Sequence, residues 1–110
     1  MISLALIAMA AAAGPSDGMA QPRKLYEQCL QKLQDTEIAQ KTEATKFEAA
    51  LSTSCAAQET ALRSAIVAHY VGMKTPRKEA EQSAVDWLTD LQEGAKERYR
   101  SNLAVQTKSD

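Results

Sequence analysis

Apolar residues recur at spacings of three and four along three stretches of the chain, and nowhere do apolar and polar positions alternate for more than a few residues. Leu25, Tyr26, Cys29, Leu30 and Leu33 share one helical face in the first stretch. The second carries Phe47, Leu51, Cys55, Leu62, Ile66, Tyr70 and Met73, with Ala50, Ala61 and Ala65 beside them. The third carries Ala80, Ala84, Trp87, Leu88, Leu91, Ala95 and Tyr99. β-Branched residues are scattered, so the pattern predicts an all-α domain over residues 21–100, a small three-helix hairpin or bundle with helices at about 23–34, 45–71 and 76–100.

Helix punctuation refines these bounds. Periodicity weakens after Gln34, and the polar run containing Asp35, Thr36, Gln40 and Thr42 reads as a connection over residues 35–44, although no Gly or Pro forbids a continuous helix there. Thr45-Lys-Phe-Glu48 has the form of a capping box, in which the Thr45 hydroxyl accepts from the Glu48 amide and Glu48 reaches back to that of Thr45. Gly72 suits a left-handed residue that stops the second helix, with Thr75 as the cap and Pro76 as the first residue of the third. Gly94 costs about 1 kcal/mol in a helix interior relative to Ala and marks a bend or a close approach. Residues 101–110 are polar and are expected to form a flexible tail.

The run from Ile2 to Ala13 holds no charge and is too short for a spanning helix, which needs about 20 apolar residues, but it has the character of a secretory signal. Its weakness is the absence of Lys or Arg before Leu4. Ala11-Ala12-Ala13 and Gly18-Met19-Ala20 both satisfy the small-x-small rule of signal peptidase. The second is favoured, because Gly14-Pro-Ser-Asp-Gly18 reads as an extended stretch leading to it, so residues 1–20 are assigned as signal peptide and Gln21 as the first mature residue. The expected location is periplasmic or secreted, with no stable transmembrane anchor after cleavage.

Asp17 is the one charged residue among the first twenty, so its removal from a total of 13 basic and 14 acidic side chains leaves the mature chain balanced. Phosphate-binding proteins carry a clustered basic excess, which argues against a nucleic-acid partner. Ala dominates the apolar set and large rings are few, so the core is small and the helices need help to stay together.

Cys29 and Cys55 are the two cysteines, and in an oxidising compartment an isolated pair reads as a structural disulfide linking the first two helices. On one straight helix, residues this far apart in sequence lie roughly 39 Å from one another, so pairing requires the chain to reverse between them. No Cys-x-x-Cys motif suggests redox chemistry.

Candidate chemistry is sparse. His69 and Met73, spaced i and i+4, have the softness for a copper-type ion, but Ala65, Ile66 and Gly72 offer no third ligand. Asp86 and Asp90 lie in a helix whose carboxylates alternate with Arg and Lys, a pattern of a solvated face rather than of an acid held in an apolar pocket. Ser52, Thr53 and Ser54 have no His at an activating spacing, and Trp87 falls in register with the core stripe. No catalytic, metal or cofactor residues are assigned.

Leu25-Tyr-Glu-Gln-Cys29-Leu30 and Ser54-Cys-Ala-Ala-Gln-Glu-Thr-Ala-Leu-Arg63, followed by the helix that contains Tyr99, resemble segments of small uncharacterised exported two-cysteine helical proteins of sphingomonad-type alphaproteobacteria. The likeness covers most of the mature chain and implies no particular activity. The expectation is a non-catalytic exported helical module that binds a protein, a peptide or an envelope component, with a homodimer through the Ala-rich faces as one arrangement. The alternative is a small periplasmic hydrolase or metal-handling protein built on His69 and the third-helix carboxylates.

Overall fold

The three apolar stripes turn inward on four helices rather than three. The structure, a computed structural model, describes residues 17–109. It is all-helical among these residues, with α1 (Asp17–Ala39), α2 (Ala44–Ser54), α3 (Ala56–Gly72) and α4 (Arg77–Ser109). The most extensive packing is between α3 and α4 and between α1 and α3, while α2 packs on α4 and α1. Tyr26, Leu30, Phe47, Leu51, Cys55, Leu62, Ile66, Ala80, Ala84, Leu88, Ala95 and Tyr99 are buried together.

The expected second helix is divided at Cys55, whose φ of −114° and ψ of 26° leave the α-helical region. No Gly, Pro or side-chain cap marks this break. Tertiary contacts account for it. Phe47 and Leu51 are buried on α2, with Phe47 stacked on Tyr99, and Leu62, Ile66 and Val67 are buried on α3. Between the two sets, Cys55 is tied to Cys29 of α1 by a disulfide, with Cα atoms 6.0 Å apart. The reversal that the cysteine pair demands is therefore present.

The helix ends also depart from expectation. α1 continues to Ala39 through much of the expected connection, because Leu33, Gln34 and Ile38 still face the interior. It stops in a Schellman turn: Lys41 is left-handed (φ 53°), its amide donates to the Ile38 carbonyl, and the Thr42 amide donates to that of Glu37, each at 3.0 Å. The capping box does not form. Glu43 occupies the cap position without a side-chain hydrogen bond, Thr45 lies inside α2, and Glu48 instead accepts from Arg100 of α4 at 2.7 and 3.1 Å.

At the other turn, Gly72 is the last residue of α3 and is not left-handed; Lys74 is, with φ 72°. The Lys74 amide donates to the Val71 carbonyl and the Thr75 amide to that of Tyr70, the same motif as at Lys41. α4 then starts one residue later than expected, with the Pro76 carbonyl accepting from Ala80 at 2.9 Å. Gly94 sits inside this unbroken helix, where an added Cβ would meet the end of the Arg98 side chain at 3.3 Å. The expected tail over 101–109 is helical, Leu103 packing on the core and Thr107 donating to the Leu103 carbonyl at 2.8 Å.

Residues 1–16, which include most of the assigned signal segment and its Ala13 site, lie outside the described residues. The Ala20 site does not: α1 already runs through Gly18, Met19 and Ala20, and Met19 is 9% exposed within the core cluster. Pro22 thus lies inside α1 and leaves the Gly18 carbonyl without an i+4 donor. No described helix is long and apolar enough to cross a membrane.

Candidate functional site

The turn at Met73–Thr75 sets α3 and α4 side by side and opens a groove of about 930 Å³ along their outer flank. Ser64, Ala68 and Gly72 follow at steps of four on α3 and keep that flank low; nothing lies within 4 Å of where a Gly72 side chain would begin. Val67, Ala68, Val71 and Val85 supply apolar surface, and Val71 and Val85 are about two-fifths exposed, at 39% and 40%. Arg63, Arg77 and Lys78 stand around it, with Glu81 as the one carboxylate. Arg63 reaches the half-buried Glu59 at 3.6 Å within α3, and Arg77 reaches Glu81 at 3.4 Å in an exposed pair within α4, the latter worth a few tenths of a kcal/mol, about 0.3–0.5. Such weak pairing leaves both guanidinium groups available to an incoming carboxylate.

A smaller crevice of about 430 Å³ lies at the start of α1, between Met19, Arg23, Glu27 and Trp87. The Arg23 guanidinium sits 5.5 Å from the centre of the Trp87 ring, within cation–π range, and also pairs with Glu27 at 3.4 Å. Trp87 is half-buried against the core, as its register predicts.

The interior contains a polar node. Gln92 of α4 donates to the Tyr26 hydroxyl of α1 at 3.0 Å and to the Glu59 carboxylate of α3 at 2.8 Å. Burial raises the Tyr26 pKa above its usual value and the Glu59 charge adds to the rise, while the Gln92 hydrogen bond opposes it. The node joins three helices through a neutral hydroxyl, an amide and an acid, which is a positioning arrangement rather than an acid–base pair.

The residues singled out from sequence do not converge. His69 is half-buried with Nδ1 enclosed and without a hydrogen-bond partner among the described residues, its ring edge-on to Tyr70 at 5.2 Å, while Met73 one turn on is exposed. Asp86 and Asp90 lie on the exposed side of α4, away from the Ala80, Ala84 and Leu88 face. Among the described residues, no three His, Cys, Asp or Glu side chains gather as a metal site. The Ser52 and Thr53 hydroxyls donate back to the Ala49 and Ala50 carbonyls, at 3.4 and 3.2 Å.

Sequence reasoning missed the groove. Val67, Val71 and Val85 are apolar but fall outside the core stripes, on both sides of the Gly72–Pro76 turn, and that displacement was the signal available. The Gln92 node had none, because its partners lie 66 and 33 residues away. No family model, curated protein or solved structure matches this chain.

Proposed function

We propose that this chain is an exported, non-catalytic helical module that binds an amphipathic, acidic segment of a partner protein in the groove between α3 and α4. The single observation that carries this reading is the pairing of an apolar floor, Val67, Ala68, Val71 and Val85, with three cationic side chains and one carboxylate around it. Apolar contact supplies affinity and the cations select a segment bearing Asp or Glu on its flanks. The Cys29–Cys55 disulfide supports an oxidising compartment, the periplasm or beyond the cell, and holds α1 to the α2–α3 junction while the groove is used.

The test uses the full chain and a synthetic fluorescent helical peptide with Leu along one face and Glu on its flanks, compared with the same peptide carrying Lys. The Glu peptide is expected to bind, more weakly as salt rises, and Val85→Asp is expected to weaken it about tenfold, or 1.4 kcal/mol. Equal binding of the Lys peptide, or full binding by Val85→Asp with its circular dichroism unchanged, overturns the proposal. Dimerisation lost in Val85→Asp would instead identify a second copy of this chain as the occupant.

A further inference from the structure

We infer that the groove between α3 and α4 selects a partner helix by the spacing of its charges: two carboxylates on one face at positions i and i+11, with apolar residues between them. This rests on the binding reading above and adds to it the partner's conformation and charge order.

The register of the two helices sets the spacing. Gln92 of α4 donates to Glu59 of α3 at 2.8 Å, and the chain reverses between Gly72 and Arg77, so the helices run antiparallel with Glu59 level with Gln92. One turn further along α3, Arg63 is level with Leu88. Arg77 stands eleven residues before Leu88 on α4, and at a rise of about 1.5 Å per residue the two guanidinium-bearing positions lie roughly 16 Å apart along the groove. Lys78 adds a second cation at the Arg77 end.

Between these ends the groove changes character. Val67, Val71 and Val85 supply apolar surface, while Glu81, one turn beyond Arg77, is level with Tyr70 and lines the same groove. Its pairing with Arg77 at 3.4 Å places the carboxylate between the two cationic ends. A partner acid over this point meets a like charge, whereas an acid at either end meets a cation. The groove therefore accepts carboxylates at its ends and rejects one near its middle.

An α-helix fits this order. Eleven residues bring a side chain back to within about 20° of the same face and advance it roughly 16 Å, so carboxylates at i and i+11 reach both ends and apolar residues at i+7 and i+8 lie over the valines. Carboxylates at i and i+4 are only about 6 Å apart along the axis, so one that meets Arg77 puts the other over Glu81. An extended segment lacks a comparable seat, because among the described residues the chain is all-helical and presents no sheet edge to which a strand could add. Ser64, Ala68 and Gly72 keep the α3 flank low, which lets the backbone of a packed helix come close.

Two synthetic peptides of identical composition, each held helical by a hydrocarbon staple on its outer face, carry Glu at i and i+11 or at i and i+4 and are titrated against the full chain by fluorescence anisotropy. The i, i+11 peptide is expected to bind about fivefold more tightly. Arg63→Gln should remove most of that preference, and Glu81→Gln should raise affinity for the i, i+4 peptide, both with unchanged circular dichroism. Equal affinities for the parent chain, or a preference that survives Arg63→Gln, overturn the spacing while leaving an acidic segment as the occupant. Failure of both peptides to bind overturns the binding reading as well. A parent chain that sediments as a dimer and is converted to monomer by the peptide makes a second copy the occupant and overturns both.

Discussion

Tyr99 lies face to face on Phe47, with ring centroids 3.9 Å apart and planes 5° from parallel. Its hydroxyl donates to the Thr42 carbonyl at 2.6 Å, so one side chain of α4 holds both the α1–α2 connection and the face of α2. Arg100, the next residue on α4, pairs with Glu48 of α2. This small contact set is what keeps α2 from continuing the line of α3.

Tyr99→Phe preserves the stacked ring and removes the hydroxyl, leaving the Thr42 carbonyl without that donor. The expected loss is about 1 kcal/mol, against about 3–5 kcal/mol for Tyr99→Ala, which also empties the site beside Phe47. Urea denaturation of the two variants separates hydrogen bond from ring contact. Equal losses would mean that the ring contributes nothing beyond its hydroxyl.

Alkaline stability follows from the same tyrosines. Burial raises the Tyr99 pKa, helped by the Glu37 carboxylate, and burial also raises that of Tyr26. A raised folded pKa on a phenol means that the folded state holds its proton more tightly than the unfolded chain. The resulting stabilisation is complete below the unfolded value of 10.0 and is lost as pH climbs from there through the folded values. Thermal midpoints should therefore fall above about pH 10, and the Tyr26→Phe, Tyr99→Phe double variant should fall less steeply. An unchanged slope would place the alkaline transition on other groups.

The Cys29–Cys55 bridge closes a loop of separation 26, for which the chain-entropy relation gives about 3.5 kcal/mol. Replacing both cysteines by serine should lower the melting temperature by roughly 10 °C or more in a domain of this size. Scanning calorimetry of the variant, and of the parent chain with and without a dithiol reductant, measures it. Coincident melts would show that the helix packing alone carries the fold.

Much of this architecture was legible in the residues. The 3.6-residue stripes predicted Tyr26, Leu30, Phe47, Leu51, Leu62, Ile66, Leu88 and Tyr99 as core, and all are buried; Leu25, placed on the same face, is 46% exposed. The break at Cys55 was not legible, because it answers to contacts with Cys29 and Tyr99 rather than to any local breaker. Thr45 and Glu48 have the right types for a capping box, but Glu48 has a cation across the interface and is drawn to Arg100. The groove escaped for a related reason: periodicity finds the buried face of each helix, whereas a groove forms from the flanks that two helices leave uncovered.

Lys74 holds the left-handed position of the α3–α4 Schellman turn, where Gly is the favoured residue. An L side chain there costs roughly 1–2 kcal/mol, partly offset by the greater entropy that Gly has in the unfolded chain. Lys74→Gly should consequently raise stability, by up to about 1 kcal/mol. The denaturant midpoint should move up with its slope unchanged. A downward shift would mean that the Lys74 side chain makes contacts worth more than the strain.

His69 offers the sharpest separation of the two functional readings. Its Nδ1 is enclosed and has no hydrogen-bond partner among the described residues, a state that costs about 1–3 kcal/mol. If the residue is simply part of the α3 surface between Ile66 and Met73, His69→Leu removes the orphaned nitrogen and should raise the melting temperature while leaving binding of the acidic peptide in the groove intact. If His69 serves metal handling or hydrolysis, the same variant should be as stable or more so, yet fail to restore the phenotype of cells lacking the chain. Thermal melting, peptide titration and complementation on the one variant therefore distinguish them, because a stabilised but inactive protein has lost chemistry rather than structure. On the binding-module reading, His69→Leu complements fully and Val85→Asp does not.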